Sequence, residues 1–125
     1  DLVNTAFEDM IGGEIYVKKI PSMKVTDIAR VIAPKSDFEF VGIRPGEKLH
    51  EQMIGIEDSA FTYEYDDYFK ILPMINSWCE NEEFIKNGKL VEEGFSYTSD
   101  NNKDWMSDKT LDKWIKSNSD KLGDI

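Results

Sequence analysis

Apolar residues recur at the spacing of an α-helix in three separate stretches of the chain. The first, DLVNTAFEDM at 1–10, is followed by Gly12-Gly13, a pair that suits a helix C-terminus. The second is MKVTDIARVIAP at 23–34, where a proline ends the pattern. The third follows Ser107, whose hydroxyl is a good N-cap. The apolar faces of these predicted helices consist of Leu2, Val3, Ala6, Phe7, Met10, Val25, Ile28, Ala29, Ile32, Leu111, Trp114 and Ile115.

Strand patterns occupy other stretches, which are bounded by turn-forming residues. EIYVKKI at 14–20 and FEFVGI at 38–43 each predict a short strand. The aromatic segment FTYEYDDYFKILP at 61–73 predicts one or two strands with an acidic turn at 66–67. We interpret KLHEQMI at 48–54 as a short helix. The order helix, strand, helix, strand predicts a small α/β or α+β domain.

The second half of the chain is predicted to be rich in loops. Residues 75–86 are interpreted as helical or irregular, Asn87-Gly88 as a turn, and LVEEGFSY at 90–97 as an extended piece. TSDNNKDW at 98–105 indicates a loop, and we expect the tail at 116–125 to fray. We therefore expect the whole chain to form a single domain, with loops that serve a binding role or a partner surface.

Composition narrows the class of protein. The chain has 125 residues, enough for one small domain with a core, and 40% of them are hydrophobic. Its net charge of −10 repels phosphate backbones and argues against a general nucleic-acid binder. The lone Cys79 allows no internal disulfide and is interpreted as a small, half-buried hydrophobe. No apolar run approaches the roughly 20 residues of a membrane span, and no signal peptide is visible, so we expect a cytoplasmic protein without a membrane partner.

The stretch RPGEKLHE carries the strongest chemical signal. Pro45-Gly46 predicts a tight turn after the predicted strand at 38–43, which would bring Arg44 and Glu47 close together. A guanidinium can bind a diphosphate through two parallel hydrogen bonds, and a carboxylate can accept hydrogen bonds from a ribose diol. The pair therefore suits a nucleotide diphosphate. The alternative is an ordinary surface Arg–Glu pair beside a turn.

Other polar residues carry weaker signals. The segment from Ser22 through Met23 to Lys24 opens a predicted helix, and such an N-terminus either holds an anion or is simply capped. Lys48 suits either a phosphate or plain solvation. His50, the only histidine, is neither a metal site nor part of a triad by itself.

Several motifs of self-sufficient enzymes are missing from the sequence. No GxGxxG or GxxGxxG fingerprint, Tyr-x-x-x-Lys pair, P-loop, HExxH or GxSxG occurs. The acidic segments do not have the spacing of an EF-hand, so we predict no metal site. We therefore predict no catalytic and no cofactor-binding residues in this chain.

Two strings together resemble a known family. GGEIYVKKIPSMKVTDIARVIAP, followed by FVGIRPGEKLHEQMI, is similar to the C-terminal region of inverting UDP-N-acetylglucosamine 4,6-dehydratases of the pseudaminic acid pathway. These enzymes are extended short-chain dehydrogenases/reductases. YEYDDYFKILP and EEGFSYTSDNNKDW also resemble that family, so that the likeness spans residues 1 to about 115.

The resemblance implies a fold, a reaction and three site residues. In such a lyase an N-terminal Rossmann domain binds NADP, and UDP-N-acetylglucosamine lies between that domain and the C-terminal one. A hydride leaves C4, water is lost across C5 and C6, and the hydride returns to C6 with inversion at C5. By the same resemblance, Arg44 grips the UDP diphosphate, Glu47 holds the ribose and Met23 lies near the uracil.

The resemblance further implies that this chain is a substrate-binding domain without the Rossmann half. The family's catalytic residues match nothing here, so we expect no turnover by this chain alone. Members form homo-oligomers, and we expect the surface left by the missing half to favour dimerisation or swapping. A related retaining 4,6-dehydratase or 4-epimerase, and a free-standing binding module, remain alternatives.

Overall fold

The computed structural model describes residues 2–74 and 82–118. Within these ranges it combines helices with short strands, as expected for a mixed α/β domain. The helices at residues 2–9, 25–32 and 108–117 lie close to the three stretches that the apolar periodicity predicts. In chain order the elements are helix α1 (Leu2–Asp9), strand β1 (Ile15–Lys18), helix α2 (Val25–Ile32), strand β2 (Gln52–Ile54), a 3₁₀ helix (Ile56–Phe61), strand β3 (Thr62–Glu64), strand β4 (Tyr68–Ile71), helix α3 (Glu82–Ile85), strand β5 (Lys89–Leu90), strand β6 (Tyr97–Thr98) and helix α4 (Asp108–Ser117).

Strand β4 lies inside the larger of two antiparallel sheets. The strand order of that sheet is β1-β4-β3-β5, and β2 pairs with β6 in a separate two-stranded sheet. The β3–β4 hairpin closes through a hydrogen bond from the Tyr65 amide to the Tyr68 carbonyl, 2.9 Å long. The predictions of a strand within 14–20 and of strands around an acidic turn in 61–73 are therefore confirmed.

The apolar faces of four strands meet in the main core. Side chains in β4 alternate between the two faces of the sheet, so that Phe69 and Ile71 enter this core while Lys70 points to the opposite face. A second, smaller cluster packs α3 against the sheet. The main cluster contains Val17, Ile54, Phe69, Ile71 and Tyr97, and the smaller one contains Tyr63, Leu72 and Phe84.

An ionic cluster around Lys70 attaches α1 to the sheet. The Lys70 side chain is only 1% exposed, and its Nζ lies 2.6 Å from the Asp9 carboxylate. Lys86 also pairs with Asp9, and the Tyr16 hydroxyl donates to it over 2.7 Å. Burial opposes ionisation of Asp9, but the hydrogen bonds from Lys70, Lys86 and Tyr16 outweigh it and lower its pKa to about 2. The same burial, reinforced by the Asp9 carboxylate, raises the pKa of Tyr16.

A short parallel bridge joins the segments that lead into α2 and α4. The Ser22 amide donates to the Asp104 carbonyl, and the Met106 amide donates to the Ser22 carbonyl, both over 2.9 Å. At the start of α4, the Ser107 hydroxyl accepts a hydrogen bond from the Thr110 amide at 3.2 Å. The prediction that Ser107 is the N-cap of the last helix is confirmed.

The strand predicted at 38–43 does not form. These residues belong to a long exposed segment between α2 and β2, and no strand among the described residues pairs with them. The apolar pattern was correct, but a strand also needs a neighbour that accepts its hydrogen bonds, and the described part of the chain supplies none.

The helix predicted at 48–54 is also wrong. Gln52–Ile54 form strand β2, which pairs with β6 and places Ile54, fully buried, in the main core. The apolar run in this stretch is too short for its periodicity to distinguish a strand from a helix, and the long-range pairing with β6 decides the outcome.

The remaining expectations for the second half are met in part. Lys86 and Asn87 form a turn, but the extended piece predicted at 90–97 is interrupted by a turn at 93–94, which separates β5 from β6. Residues 99–104 form a loop, as predicted, whereas Thr98 at one end belongs to β6 and Trp105 at the other makes a bridge to Ser22. Some predictions fall outside the described residues. They concern Cys79, the first part of the segment predicted at 75–86, and residues 119–125 of the tail that was expected to fray.

Replacing Asp9 with Ala should destabilise the fold by about 3–5 kcal/mol, because it leaves the buried ammonium of Lys70 without a carboxylate. Urea denaturation measures the loss. The control is Asp112→Ala, which removes an exposed pair with Lys116 at 2.6 Å and should cost about 1 kcal/mol or less. Equal losses in the two variants would contradict the role of Asp9.

The lowered pKa of Asp9 predicts a loss of stability in acid. Its value of about 2 in the folded chain lies below the ordinary 3.8, so the ionised carboxylate stabilises the fold above pH 3.8. This contribution, about 2 kcal/mol, should disappear as the pH falls from 4 towards 2. Unfolding free energies measured against pH for the wild type and Asp9→Asn should converge in this window. A constant difference down to pH 2 would refute the prediction.

Candidate functional site

The turn at 44–47 holds an arginine and a glutamate side by side. The Glu47 amide donates to the Arg44 carbonyl over 3.1 Å, and the Arg44 amide donates to Glu47 Oε2 over 2.9 Å. Gly46 has φ +88°, and a proline followed by a glycine with positive φ is the pattern of a type II turn. Local sequence alone therefore brings the two side chains together, as the spacing predicted.

Both side chains of this turn face solvent. Arg44 Nε lies 3.9 Å from Glu47 Oε1, and the side chains are 78% and 52% exposed. Within the described part of the chain, Arg44 pairs with no other carboxylate, so most of its guanidinium donors remain available. The arrangement can present two parallel N–H groups to an anion, with carboxylate oxygens beside them for hydroxyl donors.

The turn lies between two anchored elements. Before it, the segment that leads into α2 is held by the bridge between Ser22 and Trp105. After it, Glu51 exchanges hydrogen bonds with Ser99, whose hydroxyl accepts from the Glu51 amide at 3.0 Å and whose amide donates to the Glu51 carbonyl at 2.8 Å. The loop around Ser99 thus contacts the segment that follows the turn. No sequence pattern indicates this contact, because it joins segments far apart in the chain.

Met23 has a different setting. It is half-buried, next to the buried Ser22 that bridges to Trp105, and directly before α2. The N-cap of α2 is Lys24, which makes no side-chain capping bond. The contacts described here bring Arg44 and Glu47 together and leave Met23 in the α2–α4 region.

A separate open cavity of about 560 Å³ was missed by the sequence reasoning. Phe69, Phe95 and Tyr97 line it, with ring centroids of Phe69 5.3 Å from Phe95 and 5.2 Å from Tyr97. The Tyr97 hydroxyl donates to the Ile20 carbonyl at 2.8 Å and accepts from the Ile20 amide at 2.9 Å. The aromatic residues of YF at 68–69 and FSY at 95–97 could have indicated such a cavity, but only the pairing of distant strands brings them together.

Two features typical of metal and dinucleotide sites are absent from the described part of the chain. Across residues 2–74 and 82–118, no three His, Cys, Asp or Glu side chains come close enough to hold a metal. The named strands pair only in antiparallel fashion, so this part of the chain contains no βαβ unit whose glycine-rich turn would receive a pyrophosphate. The described helices are also too short or too polar to cross a membrane.

Comparison with known proteins gives the fold and the family. The crystal structure of Pen from Bacillus thuringiensis matches 94% of this chain and 35% of its own chain, with TM-score 0.75 and 24% identity. The inverting UDP-N-acetylglucosamine 4,6-dehydratase of Campylobacter jejuni serotype O:2 is 49% identical over 110 residues, which cover 84% of this chain and 33% of that protein. The UDP-glucose 4-epimerase of Rickettsia massiliae is 31% identical over 107 residues, covering 82% of this chain and 31% of that protein.

The fold is that of a mixed α/β domain found within longer proteins, since this chain spans about a third of the length of the relatives it matches. The sequence profile of the polysaccharide biosynthesis protein family matches residues 1–73. The chain therefore belongs to that family and corresponds to the C-terminal region of an extended short-chain dehydrogenase/reductase.

Proposed function

We propose that this chain is the UDP-sugar-binding region of a UDP-N-acetylglucosamine 4,6-dehydratase that inverts C5 and supplies pseudaminic acid or another surface polysaccharide. Support comes from the 49% identity to the inverting dehydratase of Campylobacter jejuni. The observation that carries the proposal is the exposed Arg44–Glu47 pair, whose guanidinium and carboxylate lie 3.9 Å apart on one turn. NADP dependence, a homo-oligomeric state and a cytoplasmic location belong to the same proposal.

In this proposal the turn recognises the nucleotide end of the substrate. Arg44 donates parallel hydrogen bonds to the diphosphate, and Glu47 accepts from the ribose hydroxyls. Met23 contacts the uracil from the N-terminal side of α2. The hydride chemistry belongs to NADP bound by another part of the enzyme, so no chemical step falls to the residues of this chain.

A second candidate is the corresponding region of a 4-epimerase. The identity of 31% to the epimerase of Rickettsia massiliae favours it. Both candidates use the same nucleotide contacts, and they differ in what becomes of C4, C5 and C6 of the sugar. The product formed by a complete protein that carries this region distinguishes them: a 4-keto-6-deoxy sugar for the dehydratase, a C4 epimer for the epimerase.

The experiment is a graft of this chain in place of the C-terminal third of the Campylobacter jejuni dehydratase. In the graft, Arg44→Ala should weaken UDP binding at least tenfold, because it removes a charge-assisted hydrogen bond of about 1.5–3 kcal/mol. Isothermal titration calorimetry with UDP measures the change. Glu47→Gln should also weaken binding, through loss of a charged acceptor.

The matched control is Arg30→Ala. Arg30 also pairs with a carboxylate three residues away, Asp27, and is similarly exposed at 61%. Its removal should leave UDP affinity unchanged. If Arg44→Ala has no larger effect than Arg30→Ala, the pair is an ordinary surface ion pair and the proposed site is wrong.

A further inference from the structure

Residues 38–43 are an exposed, mainly apolar segment with no backbone partner in the described part of the chain. No backbone hydrogen bond of residues 2–74 or 82–118 involves them. Phe40 is 83% exposed, and Val41 and Ile43 are also largely exposed. Only Phe38 has a ring contact, with the Arg30 guanidinium 5.7 Å from its centroid. A folded domain rarely leaves such a run in water, so a surface that covers it is expected.

The sequence of the segment indicates the kind of sheet that it fits. In a strand, Phe38, Phe40 and Gly42 would lie on one face, and Glu39, Val41 and Ile43 on the other, so both faces would be mainly apolar. Strands that are apolar on both faces are typical of parallel sheets covered by helices on both sides. The named strands of this chain pair only in antiparallel sheets, so its described part offers no such position.

We infer that residues 38–43 are a strand that adds to a parallel α/β sheet in the part of a longer polypeptide that this chain does not span. The relatives support this occupant, since the chain covers only 33% of the Campylobacter jejuni protein. A second copy fits less well, because a twofold axis through two identical strands makes them antiparallel. The inference rests on the proposed place of this region in a longer enzyme and not on the identity of its substrate.

Pairing would also determine where the candidate site lies. Ile43 directly precedes Arg44, so a strand ending at residue 43 delivers the Arg44–Glu47 turn at its carboxyl end, where parallel α/β sheets bind ligands. Gly42 now has φ +83°, which a strand does not allow. Glycine can adopt either conformation, so addition to a sheet requires Gly42 to become extended.

Hydrogen–deuterium exchange tests the pairing directly, without UDP. In the isolated 125-residue chain, the amides of 38–43 should exchange like those of an unstructured peptide at every protein concentration. In the graft described above they should exchange about a hundredfold more slowly. Fast exchange in the graft would overturn the inference. Protection of these amides in the isolated chain would also overturn the inference. Protection that does not depend on protein concentration would show a partner within the chain, and protection that grows with concentration would show pairing with a second copy.

A pair of glycine variants provides an independent test. Gly42 and Gly94 both have positive φ, +83° and +78°, and an added Cβ meets no atom within 4 Å at either position. In the graft, Gly94→Ala should raise the unfolding equilibrium constant about fivefold or more, because alanine is strained there. Gly42→Ala should change it less than twofold, because an extended residue tolerates a side chain. Equal losses at the two positions would contradict the inference.

These outcomes separate the inference from the proposed function. Loss of UDP binding in Arg44→Ala with fast exchange at 38–43 would support the site and refute the strand. Slow exchange at 38–43 with unchanged UDP affinity in Arg44→Ala would support the strand and refute the site.

Discussion

The buried ammonium of Lys70 determines how the first helix and the sheet fit together. Because β4 alternates, placing Phe69 and Ile71 in the core forces Lys70 onto the other face, where it is almost completely shielded from water. A charge in that position needs a partner, and Asp9 supplies it from the end of α1. The rings of Tyr16 and Tyr65 complete the enclosure, with centroids 5.7 Å and 5.3 Å from the ammonium.

The position of Asp9 is unfavourable for α1 considered alone. A carboxylate in the last turn of a helix faces the negative end of the helix dipole. The hydrogen bonds from Lys70, Lys86 and Tyr16 outweigh that repulsion, as the lowered pKa of Asp9 indicates. The orientation of α1 therefore follows from the ion pair. Phe7, on the apolar face of the helix, contributes little to it, since its side chain is 82% exposed.

The opposite end of β1 is fixed by hydrogen bonds to β6 and to the loop that follows it. Tyr97 bonds both backbone groups of Ile20, and the Asn102 amide donates to the Ile20 carbonyl at 2.7 Å and to the Ser22 hydroxyl at 3.1 Å. The same loop holds Glu51 through Ser99. The polar stretch 98–105 is thus a structural connector between β1, α2 and the segment after the candidate turn.

The sequence predicts those features that depend on neighbouring residues. The amphipathic helices, the Ser107 cap, the acidic hairpin turn and the contact between Arg44 and Glu47 each arise within a few residues, and each is present. The strand at 52–54 depends on pairing with β6, more than forty residues away, and periodicity could not reveal that partner. The segment 38–43 has the intrinsic preference of a strand, but preference alone does not supply hydrogen-bond partners. The aromatic cavity could not be predicted for the same reason, because its lining residues come together only through the pairing of distant strands.

The exposure of Arg44 links ligand binding to the docking of residues 38–43. A guanidinium that is 78% exposed interacts with a phosphate in nearly aqueous surroundings, where attraction between unit charges is weak. Useful affinity requires a second surface that removes water from the diphosphate. The strand that we infer ends at the residue before Arg44, so its addition to a sheet would bring such a surface to the turn. Docking of the strand and binding of the ligand complete the same pocket, so each must favour the other. By thermodynamic linkage, a ligand bound at the turn would raise the affinity of docking by the same factor by which docking raises the affinity for the ligand.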